Sequence, residues 1–355
     1  MDIAGRAQGN LSDLQTRGNV RLTALQIDGM AVKNGSVGYS LRGSKEQFFP
    51  EGTITATITD LDAGLTLRRI EANAKLTRQP QSIDVTLAAQ DSQNRKHNVA
   101  GTVDFSNDAL AVHLNQASLA APDGAWKLFR PATVIKRSEF ISIDQFALRN
   151  GDREVSVSGS FALSGKQDLS INLDRLPVET LTALLADPPK MSGVLALRAR
   201  VTGTAAAPEL TASARLSNST VAGQSYDGAD ADMSYKDKQA SVRLVVRQDS
   251  THTLTGTGNI PLNLSWQNGW QAEFGDGLNV RAQSGGLSIA FLNGFTGKTA
   301  DNISGELSLD ISARGSLNAP NLRGTFHLRD GKVRVISTNV NIDQVAMIFS
   351  LPARH

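Results

Sequence analysis

The sequence contains no cysteine. That excludes disulfides, thiolate metal sites and cysteine nucleophiles, and it leaves the redox compartment open. Aromatic residues make up only 5% of the 355 positions, against the aromatic girdles that a membrane barrel sets at both interfaces. No stretch approaches the roughly 18 apolar residues of a spanning helix, and the opening MDIAGRAQGN has no apolar signal region. Excess charge of either sign is missing too. Lys+Arg 36 against Asp+Glu 34 gives +2, and basic runs stop at the pairs Arg68-Arg69 and Lys136-Arg137. Nucleic-acid binding through a concentrated positive field is therefore not expected.

Catalytic signatures are absent as well. The five histidines (His97, His113, His252, His327, His355) are scattered, with no i,i+4 pair and no HExxH. The nearest approach to a nucleophile elbow, GQSYDG from Gly223, has the wrong spacing. Gly256-Thr257-Gly258 leads to Pro261 and not to a glycine opening a helix, so it is no dinucleotide loop. Asp227, Asp230 and Asp232 match no calcium loop; Asp230 and Asp232 read as the solvated face of a strand. The expectation is a protein without catalysis, cofactor or metal.

What is present is period-two alternation. Thr53–Leu61 places Ile54, Ala56 and Ile58 on one face and threonines on the other, the pattern of a half-buried strand. Similar runs are Ile83/Val85/Leu87, Val103/Phe105, Leu110/Val112/Leu114, Val155/Val157, Phe161/Leu163, Leu169/Ile171/Leu173, Val242/Leu244/Val246, Ile260/Leu262/Leu264/Trp266 and Val345/Met347/Phe349. Asn34-Gly35, Asn107-Asp108, Asn150-Gly151, Ser164-Gly165, Asn268-Gly269 and Asp330-Gly331 read as turns, and Arg42 to Gly52 as a polar loop. Two short helices are expected. One runs from Pro177 to Ala186, with proline at its start and Pro188-Pro189 beyond its end; the other runs from Leu287 to Phe295.

The chain also repeats itself. SGVLALRARVTGTAAAPELTASARLSNSTV from Ser192 and the frame from Ser304 share ten of 30 ungapped positions, where chance gives about two. The shared residues include Gly193/Gly305, Leu195/Leu307, Leu197/Leu309, Gly203/Gly315, Pro208/Pro320 and Leu216/Leu328. A fainter copy keeps Gly9, Gly18, Leu22 and Ile27 at the spacings of Gly315, Gly324, Leu328 and Val333. The glycines and prolines of the repeat read as turn geometry. The expected organisation is a β-segment over 1–176, a repeat unit of short helix and strands over 177–286, and a truncated next unit over 287–355. The opening begins in mid-pattern and the closing IFSLPARH has no cap, as an internal piece of a longer chain would.

Strands with one apolar and one polar face form a sheet whose apolar face must meet something, because its exposure costs about 25 cal/mol per Å². A second sheet would make sandwiches with a filled core. A lengthwise curl would make an apolar half-pipe that holds lipid chains or a client. The residues alone leave these two open. The phrase SG-x-L-x-L-x5-G-[ST]-x2-AP-x-L at Ser192 and Ser304, with Trp126, Leu128 and Pro131 upstream, resembles the TamB family. That family is the translocation and assembly module of Gram-negative envelopes, within the AsmA-like superfamily.

The resemblance implies an all-β fold, a long curled repetitive sheet or β-taco. It implies a periplasmic location, an inner-membrane anchor upstream of this chain, and an outer-membrane barrel partner, TamA. The implied cargo is phospholipid acyl chains or an outer-membrane client protein. The groove lining would then include Leu195, Leu197, Val201, Leu307, Leu309, Ile311, Phe326, Leu328, Val333 and Val335. The competing reading is an extended adhesin or secreted passenger with a closed, side-chain-filled core.

Overall fold

The computed structural model describes the chain apart from Met1, Leu11, 28–29, Glu46, 63–65, 107–108, 184–190, Ala222, Asn268, 297–298 and 352–355. Strand accounts for 81% of it and helix for 3%, so the fold is all-β. The chain divides into two compact units, Met1–Ser160 with Ala183–Asp187, and Phe161–Thr182 with Pro188–His355.

The first unit opens with a meander: β1 (Asp2–Asn10), β2 (Asp13–Ile27), β3 (Met30–Ser44), β4 (Gln47–Asp62), β5 (Thr66–Thr77), β6 (Ser82–Asp91), β7 (Lys96–Ser106) and β8 (Ala109–Ala121). Each strand pairs antiparallel with the next. β9 (Gly124–Leu128) and β10 (Ala132–Arg137) both pair with β8 on one side and β11 (Phe140–Asn150) on the other. Pro131 sits in the break between β9 and β10, where its missing N–H costs no ladder bond. Trp126 is buried there and donates its indole N–H to Asp123 at 3.2 Å. β12 (Arg153–Ala162) follows the Asn150-Gly151 turn, with Gly151 at φ 61°.

The second unit continues with β13 (Asp168–Pro177), α1 (Val178–Thr182), β14 (Met191–Gly203), β15 (Pro208–Val221), β16 (Gln224–Lys236), β17 (Gln239–Arg247), β18 (Thr253–Ser265), β19 (Gln271–Phe274) and β20 (Leu278–Ser288). A 3-10 turn (Ile289–Leu292) and α2 (Asn293–Thr296) lead to β21 (Ala300–Ser316), β22 (Ala319–Val335) and β23 (Val340–Leu351). These strands also pair in succession, except that β20 docks on the first half of β18 and β19 on its second half.

The internal repeat is one hairpin seen twice, β14–β15 and β21–β22. Gly203 faces Pro208 in the first and Gly315 faces Pro320 in the second. At the other end both hairpins break register beside an equivalent glycine, Gly193 at φ 143° and Gly305 at φ 139°. A Cβ on Gly193 would sit 3.0 Å from Leu216 and Ser219, and one on Gly305 would sit 3.0 Å from the Gly331 Cα. Close approach and a left-handed φ together explain why only glycine fits.

Four local expectations are corrected. Asn34-Gly35 makes no turn: β3 runs through it, with Asn34 facing Thr23 and Thr59 in the ladders on either side. Arg42 to Gly52 is not a loop, because β3 extends to Ser44 and β4 begins at Gln47. Asp330-Gly331 is a bulge inside β22, with Asp330 at φ 51°, and not a hairpin turn. The helix placed from Leu287 to Phe295 starts late, since Leu287 and Ser288 still pair in β20. In each case strand pairing outweighs the local turn or helix preference, from both sides at Asn34-Gly35 and from β21 alone at Leu287 and Ser288. The turns at Ser164-Gly165 and Asn150-Gly151 stand as read. The Asn107-Asp108 turn, Asn268 and the end of the first expected helix lie outside the described residues.

Candidate functional site

Pairing register converts scattered leucines into rows across the second unit. One row runs Leu195, Leu216, Ala229, Val246, Leu254, Ser284, Leu309 and Phe326, each facing the next across a strand pair. The neighbouring row, two residues along each strand, runs Leu197, Ala214, Ala231, Leu244, Gly256, Ala282, Ile311 and Gly324. Val201 begins another with Leu210, Tyr235, Ala240 and Ile260. Leu307 stands between Leu287 and Leu328. The bulge at Asp330 adds one residue to β22, which keeps Val333 and Val335 on the same face as Phe326 and Leu328 despite the change from even to odd numbering. All ten residues expected to line a groove thus fall on one face of one unit.

The rows differ in size. Leu197's row is rich in Ala and Gly, with Leu244 and Ile311 interspersed, whereas the next mixes Ala199, Ala212, Gly258 and Ala313 with Met233, Val242 and Val280. The rows outside them carry Leu, Val, Ile, Phe and Tyr. The face therefore has a floor of one low row, Ala214, Ala231, Gly256 and Ala282, between rows that carry larger side chains. The sequence reading missed the floor residues Ala214, Ala231, Gly256 and Ala282. Their signal was the small residues at alternate positions in some of these strands, Ala212/Ala214, Ala229/Ala231 and Gly256/Gly258.

This face is only half covered. All ten expected lining residues are half-buried, and none reaches the full burial of a sandwich core. Among the described residues no large side chain is less than 2% exposed. The accessible area is 21570 Å² for 37.8 kDa. A compact protein of that mass exposes about 13,800 Å², and two separate compact halves about 16,700 Å². The surplus remains however the two units are arranged.

The ends of the face are better covered. Past Pro261 the chain leaves β20 and crosses the strand ends as a strap. Leu262 N–H bonds Lys238 O (2.9 Å), Leu264 N–H bonds the Tyr235 hydroxyl (2.9 Å), and Trp266 N–H bonds Ala205 O (3.0 Å). The buried Trp266 ring stacks on Phe161 at 5.6 Å and carries the exposed Trp270 on its outer side at 5.9 Å. At the opposite end the short helices sit beside the bulges. Asn293 both accepts from Ile303 N–H and donates to Ile303 O, each at 2.8 Å, and pins α2 to β21.

The first unit has a comparable apolar row through Val20, Val37, Ala56, Ala72, Leu87 and Val99. Phe49 on β4 and Phe105 on β7 have ring centroids 5.5 Å apart. Strands three steps apart in a flat sheet would be about 14 Å apart, so this sheet curls.

The other face of the second unit is polar and ion-paired. Arg200 pairs with Asp168 and Arg281 with Asp310, both at 2.8 Å. Asp230 lies between Arg215 and Arg247, so it is more than the solvated carboxylate its strand position suggested. Hydrogen bonds from Arg215 and Arg247 hold its carboxyl below the ordinary range, against the opposing effect of desolvation. Asp168 and Asp310 are lowered in the same way, by Arg200 and Arg281.

An antiparallel repetitive, curled sheet with a half-exposed apolar face in its second unit has the architecture of a β-groove protein. A family model described as TamB, N-terminal domain, matches residues 2–328. The chain belongs to the TamB family. That family is a periplasmic, envelope-associated transport and assembly module that works with TamA-like partners. No curated protein and no solved structure matches the chain. Among the described residues no helix is long and apolar enough to cross a membrane.

Proposed function

We propose that the apolar face is a conduit for phospholipid acyl chains passing between the inner and outer membranes, working in the periplasm with a TamA-like partner. The observation that carries this reading is the row structure: a low row rich in Ala and Gly and interrupted by Leu244, flanked by rows richer in Leu, Val, Met and Phe, running across at least seven paired strands and left half exposed. The rows are perpendicular to the strands, so a chain in the floor follows the sheet's long direction. Two successive same-face rows are about 7 Å apart, a width that suits an extended hydrocarbon chain. Burying it offsets the exposure of both surfaces. An unfolded outer-membrane β-protein is the alternative occupant, and the narrow floor favours the thinner acyl chain. A closed adhesin core would require side chains that fill the face, which the accessible area argues against.

The test is native mass spectrometry and lipid extraction of the purified protein, with Ile311→Arg on the floor and Ser312→Arg on the opposite face as a matched pair. Bound phospholipid should be lost in the first and kept in the second, with circular dichroism unchanged in both. A folded native preparation that carries no phospholipid would sink the reading.

A further inference from the structure

Behind the apolar face, the polar face of the second unit has an open depression of about 860 Å³ that runs from Ser170 on β13 to Arg314 on β21. Two rows set by register form it. In one, Arg198 faces Ser213, Ser213 faces Asp232, and Asp232 faces Arg243; the row continues through Thr257 to Arg281. In the other, Arg200 begins a run of Thr, Ser and Asn side chains that ends at Arg314.

Five arginines and one carboxylate, Asp232, line the depression. Arg200 and Arg281 are matched by Asp168 and Asp310. Arg198, Arg243 and Arg314 are exposed and have no ion-pair partner among the described residues. Arg198 and Arg243 are three strands apart in one row, about 14 Å, and Arg314 is three strands beyond Arg243 in the adjacent row, about 16 Å away. The whole chain carries only +2, so this face concentrates positive charge that the composition conceals.

We propose that this arginine track binds an extended acidic peptide segment of a partner protein. Guanidiniums recognise carboxylates through paired N–H donors. Carboxylates four residues apart on an extended peptide are about 13–14 Å apart and on the same side, which equals the first arginine interval and falls about 2 Å short of the second, a difference that long arginine side chains span. The Ser, Thr and Asn side chains between the arginines offer both donors and acceptors. A peptide backbone needs both; a phosphate polymer needs donors only. No aromatic side chain lines the depression, so there is no platform on which nucleic-acid bases could stack. Its concavity suits a chain lying in it better than a flat bilayer surface.

The test uses the whole protein with a fluorescein-labelled twelve-residue Glu/Ser peptide and its Gln/Ser counterpart, in fluorescence anisotropy at low and high salt. The Glu/Ser peptide should bind, weaken with salt, and lose about tenfold in affinity in the triple variant Arg198→Gln, Arg243→Gln, Arg314→Gln, as expected for three exposed pairs. The charge-matched triple Arg6→Gln, Arg17→Gln, Arg21→Gln should bind as the parent does. The single variants Arg243→Gln and Arg314→Gln provide the same reading if the triple variant is poorly folded. Equal loss in both triples, or no binding at all, overturns the proposal. Tighter binding of inorganic polyphosphate or phosphatidylglycerol vesicles through the same arginines overturns the peptide assignment. Bound phospholipid should be the same in all variants, so the outcome is independent of the conduit.

Discussion

Phe161 and Trp266 stack with their centroids 5.6 Å apart although six strands, β13 to β18, lie between them in sequence order. The contact exists because the strap that follows Pro261 carries Trp266 across the strand ends to the β14–β15 turn. One end of the apolar face is thereby closed while its middle stays open.

Replacing Trp266 with Ala should therefore destabilise the second unit by about 3 kcal/mol, the cost of deleting a buried aromatic ring. Urea melts followed by circular dichroism measure it. A double-mutant cycle with Phe161→Leu should return a coupling of about 0.5–1.5 kcal/mol. A coupling near zero would show that the strap is held by its backbone bonds alone.

Asn293 occupies the place of a strand residue by bonding both backbone groups of Ile303. Asn293→Ala leaves two polar groups of a buried residue unpaired and should cost about 2 kcal/mol. Hydrogen exchange should speed up at Ile303 first and leave the Leu309–Phe326 pairing protected.

Gly305→Ala places a methyl 3.0 Å from the Gly331 Cα on a backbone at φ 139°. A loss of about 1–3 kcal/mol is expected, and Gly193→Ala should match it because the two hairpins are built alike. Ala substituted at Gly285, which has no atom within 4 Å of the added carbon and no left-handed φ, should be close to neutral.

Acid should weaken the second unit. The carboxyls of Asp230, Asp168 and Asp310 are lowered by hydrogen bonds from their arginines below the ordinary value of 3.8. A lowered folded-state pKa contributes stability above the unfolded value, and that contribution is lost as pH falls through the folded one. The melting temperature should be flat with respect to these groups from pH 5 upward and fall below about pH 4. The fall should be smaller in Asp230→Asn, and salt should reduce it because these pairs are exposed.

Much of the fold was legible because a one-sided sheet writes itself as period-two alternation, and a repeat writes itself as recurring Gly, Pro and Leu. Ser164-Gly165 and Asn150-Gly151 could be read as turns because nothing else competes for those residues. Asn34-Gly35 could not, because its neighbours on both sides offer complete ladders and absorb a turn sequence into a strand. The Asp330 bulge was hidden for the opposite reason: its turn chemistry is real, but the chain uses it to shift register without reversing direction.

The sequence by itself determined that the chain is all-β, that its strands have one apolar face, and which leucines lie on it. Alternation is a property of each strand alone. Only the tertiary structure decided what those faces become. Register lines up Leu195 with Leu309 and Leu197 with Ile311 across intervening strands, sets a floor of small residues between taller rows, and gathers Arg198, Arg243 and Arg314 from distant segments onto the opposite face. Pairing between strands is non-local, and a shift of one residue would send every one of these side chains to the other side.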